Sequence, residues 1–168
     1  KITAVASSLK SASIAESLSI PLLDPSETGM TIDLAIDGAD KVDTKGNLIK
    51  GGGGSLLREK VVAYASKRFH VIVDDSKLVD KLGRFPLPVE IVPFAVGFTL
   101  TYIHALACEP VLRKSGNELF ITDNGNYIVD CKFKEIIDPA ALDVKLKMIP
   151  GVVETGLFSA RVITSIFI

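Results

Sequence analysis

Residues 36–60 read IDGADKVDTKGNLIKGGGGSLLREK. The apolar residues 32–36 lead into this stretch and are predicted to form a short strand that Asp37-Gly38 ends abruptly. Carboxylates just past the C-terminal end of such a strand lie where open α/β sheets hold their ligands. Asp-Gly is also ordinary turn chemistry, so Asp37 and Asp40 alone leave both readings open. Lys50 then enters four consecutive glycines, Gly51, Gly52, Gly53 and Gly54. Such a run loses much backbone entropy on folding and is tolerated where the chain takes unusual dihedrals or approaches something closely. From Ser55 the pattern SLLREKVVAYASKRF places Leu56, Leu57, Lys60, Val61 and Tyr64 near helical spacing. A glycine loop feeding a helix N-terminus offers free N–H groups and a positive dipole end, which suits an oxyanion or a phosphate. A flexible linker is the competing reading, and apolar flanks argue against it. The loop matches neither GxxxxGK[ST] nor GxGxxG with an acidic partner.

Glu59 is the candidate base, although an acidic residue in a first helical turn is also what the helix dipole favours. Alternating apolar strands and helices before residue 85 predict an open, mostly parallel, Rossmann-like α/β sheet. Its expected elements are strands at 2–6, 21–23 and 70–74, a helix at 11–18 and a loop at 24–29. The near-continuous apolar character of residues 2–6 implies a sheet covered on both faces. Phe85-Pro86-Leu87-Pro88 marks a domain boundary. Beyond it come a strand at 89–93, a helix at 94–107, a strand at 110–114 and a turn at 115–117. Strand-like runs at 119–122 and 127–133 follow, joined by Asp123-Asn124-Gly125-Asn126, a hairpin signal. Asp138-Pro139 opens a helix reaching about residue 149, with aspartate as N-cap and proline at the first position, and 152–158 is the last strand. This β-α-β-β-α-β order predicts an inserted ferredoxin-like α+β domain over 85–158. Residues 1–84 and 159–168 then form the catalytic α/β domain, with the final residues returning to its sheet.

The 168 residues carry a formal net charge of −1, so no bulk attraction to nucleic acid is expected. No apolar run approaches the roughly 18 residues of a membrane span, and no signal peptide is visible. Cys108 and Cys131 lack metal or redox spacing, which fits a reducing, cytoplasmic setting. His70 and His104 have no partner at ligand spacing, so no metal site is expected.

DGAD at 37–40, LIKGGGGSLLREK at 48–60, Ser76-Lys77, GRFPLPVE at 83–90 and TDNGNYIVD at 122–130 together resemble the ribose-5-phosphate isomerase A family, collinearly over nearly the whole chain. The resemblance implies an aldose–ketose isomerase acting on D-ribose 5-phosphate and D-ribulose 5-phosphate without metal or cofactor. It implies Glu59 as the proton-transferring base, with Asp37, Asp40 and Lys50 holding and polarising sugar oxygens. Gly38, Ala39, Gly51, Gly52, Gly53 and Lys77 would contact the substrate. The implied partner is a small sugar phosphate, not nucleic acid or membrane, and the implied assembly is a homo-oligomer, dimer or tetramer. Two departures stand out. Lys41 follows DGAD, where the family usually has glutamate. The family also opens with a strand and a glycine-threonine loop that grips the phosphate, whereas this sequence starts at what looks like the following strand, and a typical C-terminal tail is missing. A 168-residue chain made alone is therefore expected to be poorly active and prone to associate.

The chemistry fits these residue types. Moving a carbonyl between C1 and C2 needs one base with reach to both carbons, and a cation or fixed donors for the enediolate oxygen. Two rival readings are a non-catalytic sugar-phosphate-binding module on the same fold and a CoA-transferase-like protein. The first would not need Glu59 together with Asp37, Asp40 and Lys50, and the second needs a much longer chain.

Overall fold

The computed structural model describes residues 2–27 and 31–168. Its elements run α1 (Leu9–Ser17), β1 (Ala35–Asp37), β2 (Lys41–Val42), β3 (Leu48–Ile49), α2 (Leu56–Ala65), β4 (Phe69–Ile72), β5 (Leu87–Ile91), α3 (Val96–His104) and β6 (Glu109–Leu112). There follow β7 (Lys114–Ser115), β8 (Glu118–Leu119), β9 (Tyr127–Lys132), α4 (Pro139–Lys147), β10 (Val152–Thr155), β11 (Leu157–Phe158) and β12 (Ser165–Phe167).

β4 lies between β1 and β12 and runs parallel to both, with Ala35 opposite Phe69 and Ser165 opposite His70. The last residues thus return to the first sheet as expected. Parallel neighbours need a crossover, and α2 supplies the one between β1 and β4, burying Leu56, Lys60 and Ala63. Ala35, Phe69, Val71 and Phe158 form this unit's core. On the opposite sheet face Ile36 is 60% exposed and Ile72 55% exposed, so among the described residues that face lacks a covering layer. The expectation of two covered faces is therefore corrected, and the strands alternate in burial as one-sided strands do. The segments 2–6 and 21–23 also fall short of strands. They meet in a single parallel bridge, Ala4 to Leu22, because Pro21 has no N–H with which to extend the ladder. Of the loop expected at 24–29, residues 28 and 29 lie outside the described residues, while Asp24 caps the turn by accepting from Ser26 N at 2.8 Å.

The second unit is antiparallel, with strands in the spatial order β10-β5-β9-β6, α3 following β5 and α4 following β9. This is the ferredoxin-like arrangement, with its own core around Leu87, Val89, Ile91, Ile103, Val129 and Leu146. Asp138 caps α4 through Ala141 N, as its sequence predicts. α3 begins only at Val96, because Ala95 takes a left-handed conformation with φ 54°.

The strand expected over 152–158 divides at Gly156. Gly156 N donates to Pro88 O at 2.7 Å and its carbonyl accepts from Lys50 N at 2.9 Å, an approach so close that a Cβ there would collide with Lys50 O. β11 then leaves the ferredoxin-like sheet and pairs with β3, which pairs with β2. This small third sheet joins the two units and anchors Lys50 at its edge.

Candidate active site

Lys50 follows β3 directly and is almost fully buried, at 3% exposure. A buried ammonium must be paired and hydrogen-bonded. Its Nζ lies 3.0 Å from Asp37 Oδ2 and 3.2 Å from Glu59 Oε2, and donates to Gly38 O at 2.5 Å. Asp37 ends β1, and its Oδ1 accepts from Gly38 N at 2.8 Å. Glu59 comes from the first turn of α2. Two carboxylates, one from the end of β1 and one from α2, and the Gly38 carbonyl thus converge on one cation. Burial pushes the Glu59 carboxyl above its ordinary range; the Lys50 ammonium pulls it down, and Asp37 and Asp40 add to the upward push. Glu59 Oε2 is buried and accepts no hydrogen bond among the described residues. The Glu59 carboxylate thus sits in a low-dielectric site, its charge steadied by the ion pair with Lys50.

Asp37 and Glu59 line a cavity of about 600 Å³ whose other walls include Ala4, Val5, Ile36 and Val62. Asp40 lies across the turn, where its Oδ2 accepts from Gly52 N at 2.7 Å. Ala39, between Gly38 and Asp40, packs against the first core. Gly51 has φ 99° and Gly54 φ 88°, so the loop takes the left-handed backbone its composition foretold. Gly54 N closes the turn onto Gly51 O at 2.9 Å. Lys77 ends a short 3-10 turn after β4, and its ammonium makes no hydrogen bond among the described residues. Lys41, the departure after DGAD, donates from Nζ to Ser76 O at 2.9 Å and so ties the DGAD turn to the segment carrying Lys77.

Several residues that sequence reasoning passed over support this cluster. Lys60, 5% exposed, pairs with Glu154 at 2.8 Å and donates to Thr155 O at 2.7 Å, fixing α2 against β10. Its burial lowers its pKa, and Glu154 opposes that shift. The Phe158 ring has Lys50 Nζ 5.5 Å and Lys60 Nζ 4.8 Å from its centroid, within cation–π range. The 123–126 hairpin does more than turn the chain. Arg58 Nε donates to Asn124 Oδ1 at 2.9 Å, and Glu90 Oε1 accepts from Thr122, Asn124 and Asn126. The helix residue preceding Glu59 is thereby held by the second unit. A pattern search could not have found these contacts, since 66 residues separate Arg58 from Asn124.

The family model for ribose 5-phosphate isomerase A (phosphoriboisomerase A) matches residues 3–168. The chain belongs to this family. Ribose-5-phosphate isomerase A 1 of Oceanobacillus iheyensis is 50% identical over 158 residues, which are 94% of this chain and 70% of the relative. Ribose-5-phosphate isomerase A of Thermoplasma volcanium is 52% identical over 161 residues, 95% of this chain and 66% of the relative. Among solved structures, ribose 5-phosphate isomerase from Plasmodium falciparum superposes with a TM-score of 0.89 at 39% identity, covering 93% of this chain and 69% of that one. A D-ribose-5-phosphate isomerase in complex with phospho-erythronic acid gives a TM-score of 0.87 at 39% identity, covering 92% and 69%. Both units of the fold are thus shared with the ribose 5-phosphate isomerase A family, and the rival readings are not favoured.

Proposed function

We propose that this chain interconverts D-ribose 5-phosphate and D-ribulose 5-phosphate through an enediolate, as a step of the non-oxidative pentose phosphate pathway. The observation that carries the residue assignment is the single buried ammonium of Lys50 shared between Asp37 and Glu59 at 3.0 and 3.2 Å. Glu59 removes the C2 proton of the open-chain aldose and returns it to C1, one base serving both carbons. As negative charge develops on the sugar oxygens, Lys50 turns from Glu59 toward them. Burial then raises the basicity of Glu59 with less opposition from its cation. Asp37 moves protons between the hydroxyl and carbonyl oxygens. Asp40 holds a sugar hydroxyl, and Gly38, Ala39, Gly51, Gly52, Gly53 and Lys77 line the bound sugar phosphate. The phospho-erythronic acid of the related structure supports this reading, because a carboxylate is planar and anionic as an enediolate is.

The groups named in these steps are all side chains or backbone of this chain, so the reaction is read as metal- and cofactor-free. The catalytic domain is assigned to 1–84 plus 159–168 and the ferredoxin-like domain to 85–158; each has its own buried cluster, with Ile49 and Leu82 of the first packing into the core of the second and Phe158 of the second into the core of the first. A cytoplasmic setting accords with the free thiols of Cys108 and Cys131. Among the described residues no helix is long and apolar enough to cross a membrane. Self-association, as a dimer or tetramer, is supported by Phe94, Phe98 and Tyr102, spaced four apart along and before α3 and 86%, 75% and 59% exposed. Phe98→Glu should shift the sedimentation profile toward smaller species, and an unchanged profile would remove α3 from the interface. The activity itself is tested by incubating the protein with ribose 5-phosphate and measuring ribulose 5-phosphate. Binding without conversion would instead make the chain a sugar-phosphate-binding module.

A further inference from the structure

Two carbonyls of the glycine loop, those of Gly51 and Gly52, are gripped from the second unit. Arg113 follows β6 in the ferredoxin-like unit, and its Nη1 donates to Gly51 O and to Gly52 O, each at 2.9 Å. The rest of the guanidinium is fixed by a two-point fork on Asp130 of β9, Nε to Oδ2 at 2.9 Å and Nη2 to Oδ1 at 2.5 Å. The Arg113 guanidinium carbon also stands 5.8 Å from the centre of the Phe120 ring. That ring packs against Gly54 so closely that a Cβ on Gly54 would overlap it. One side chain of the second unit therefore grips two successive peptide groups of the first.

In a trans peptide the C=O and the next N–H point in opposite directions. Turning Gly51 O and Gly52 O onto Arg113 turns the N–H groups of Gly52 and Gly53 away from it. Gly52 N–H is spent on Asp40 Oδ2 at 2.7 Å, orienting that carboxylate. Gly53 N–H donates to no protein group among the described residues, and space around Gly53 is open, with no heavy atom within 4 Å of where a Cβ would sit. Fixed donors aimed in advance at developing charge cost no reorganisation during reaction.

We propose that Arg113 is a positioning residue for the isomerase. By clamping the Gly51 and Gly52 carbonyls it presents the Gly53 amide to a substrate oxygen and sets Asp40 through Gly52, so that the ferredoxin-like unit controls the active-site loop. The proposal rests on the isomerase reading given above. A lysine cannot reproduce the clamp, because an ammonium lacks the planar fork that meets Asp130 and two carbonyls at once.

The test compares Arg113→Ala, Arg113→Lys and the unaltered protein for kcat, KM and hydrogen exchange of the 50–56 segment, with and without millimolar guanidinium ion. Misplacement of about 1 Å costs on the order of 100-fold in rate. Both variants should accordingly lose about 10- to 100-fold in kcat with KM changed by less than about 3-fold. Guanidinium should recover part of the loss in Arg113→Ala but not in Arg113→Lys, whose side chain still fills the site. Exchange should quicken in the loop while α2 and β9 keep their protection. Unchanged kcat in either variant would overturn the proposal. So would a loss without guanidinium rescue and with exchange raised throughout β9 and α2, which marks general loosening. Absence of turnover in the unaltered protein would overturn the isomerase reading and the positioning role of Arg113 with it, while unchanged loop exchange would refute the clamp itself.

Discussion

At Glu59 two influences oppose each other, and the larger is burial, which raises its pKa. Between the ordinary carboxyl value and the raised native one, the native state binds more protons than the unfolded state, so stability falls as pH rises through that window. Above it, the cost of the buried charge is fully present. Glu59→Gln should therefore melt no lower than the unaltered protein at neutral pH by calorimetry. A clearly lower melting point would show that the Lys50 pair outweighs burial. Because the base must be ionised, kcat/KM should fall as pH drops, with its acid limb above the ordinary glutamate value of 4.5. Lys50 behaves differently. Lys50→Ala leaves the carboxylates of Asp37 and Glu59 facing each other without their cation, and breaking a buried pair costs about 3–5 kcal/mol. Denaturant unfolding should register that loss, and kcat should drop more than phosphate affinity. A pure KM effect would move Lys50 to the phosphate end of the site.

Among the elements, the glycine loop and α2 carry the most information. Gly54→Ala would put a Cβ into the Phe120 ring at φ 88°, so it should cost about 1–3 kcal/mol in unfolding free energy. Gly53→Ala, where nothing lies nearby, should leave stability within about 0.5 kcal/mol. Equal losses at the two positions would contradict the loop geometry. The loop and the helix after it were readable from residues 50–66, because glycine dihedrals and helical periodicity are local properties; the strand expected over 32–36 forms only at Ala35–Asp37, and the two-residue strands β2 and β3 gave no pattern to read. The ferredoxin-like order was readable too, since its hairpin and capping signals are also local. The break at Gly156 was not, since its cause is the approach of Lys50 and Pro88 from distant segments. Nor were the roles of Arg113, Lys60 and Phe158, whose side chains meet the site only through tertiary packing. The segments 2–6 and 21–23 misled for a related reason: apolar runs report a strand's tendency, and pairing depends on a partner with free N–H groups.

On the scale of the whole molecule, the site lies where the two units meet. The first supplies Asp37, Asp40, Lys50 and Glu59, and the second braces α2 through Asn124 and the loop through Arg113. No group of three or more histidine, cysteine, aspartate or glutamate side chains suited to a metal occurs among the described residues. Turnover should therefore survive exhaustive chelation with EDTA; a loss restored by one divalent metal would refute the metal-free reading. The central claim is that Glu59 carries the proton between C1 and C2. It is tested most directly by following deuterium from D₂O into carbon-bound positions of ribose 5-phosphate and ribulose 5-phosphate, with the unaltered protein and Glu59→Gln side by side. The account predicts exchange at these carbons with the unaltered protein, and exchange slowed by at least about 10²- to 10⁴-fold in a folded Glu59→Gln. Near-equal exchange in the two proteins would contradict it.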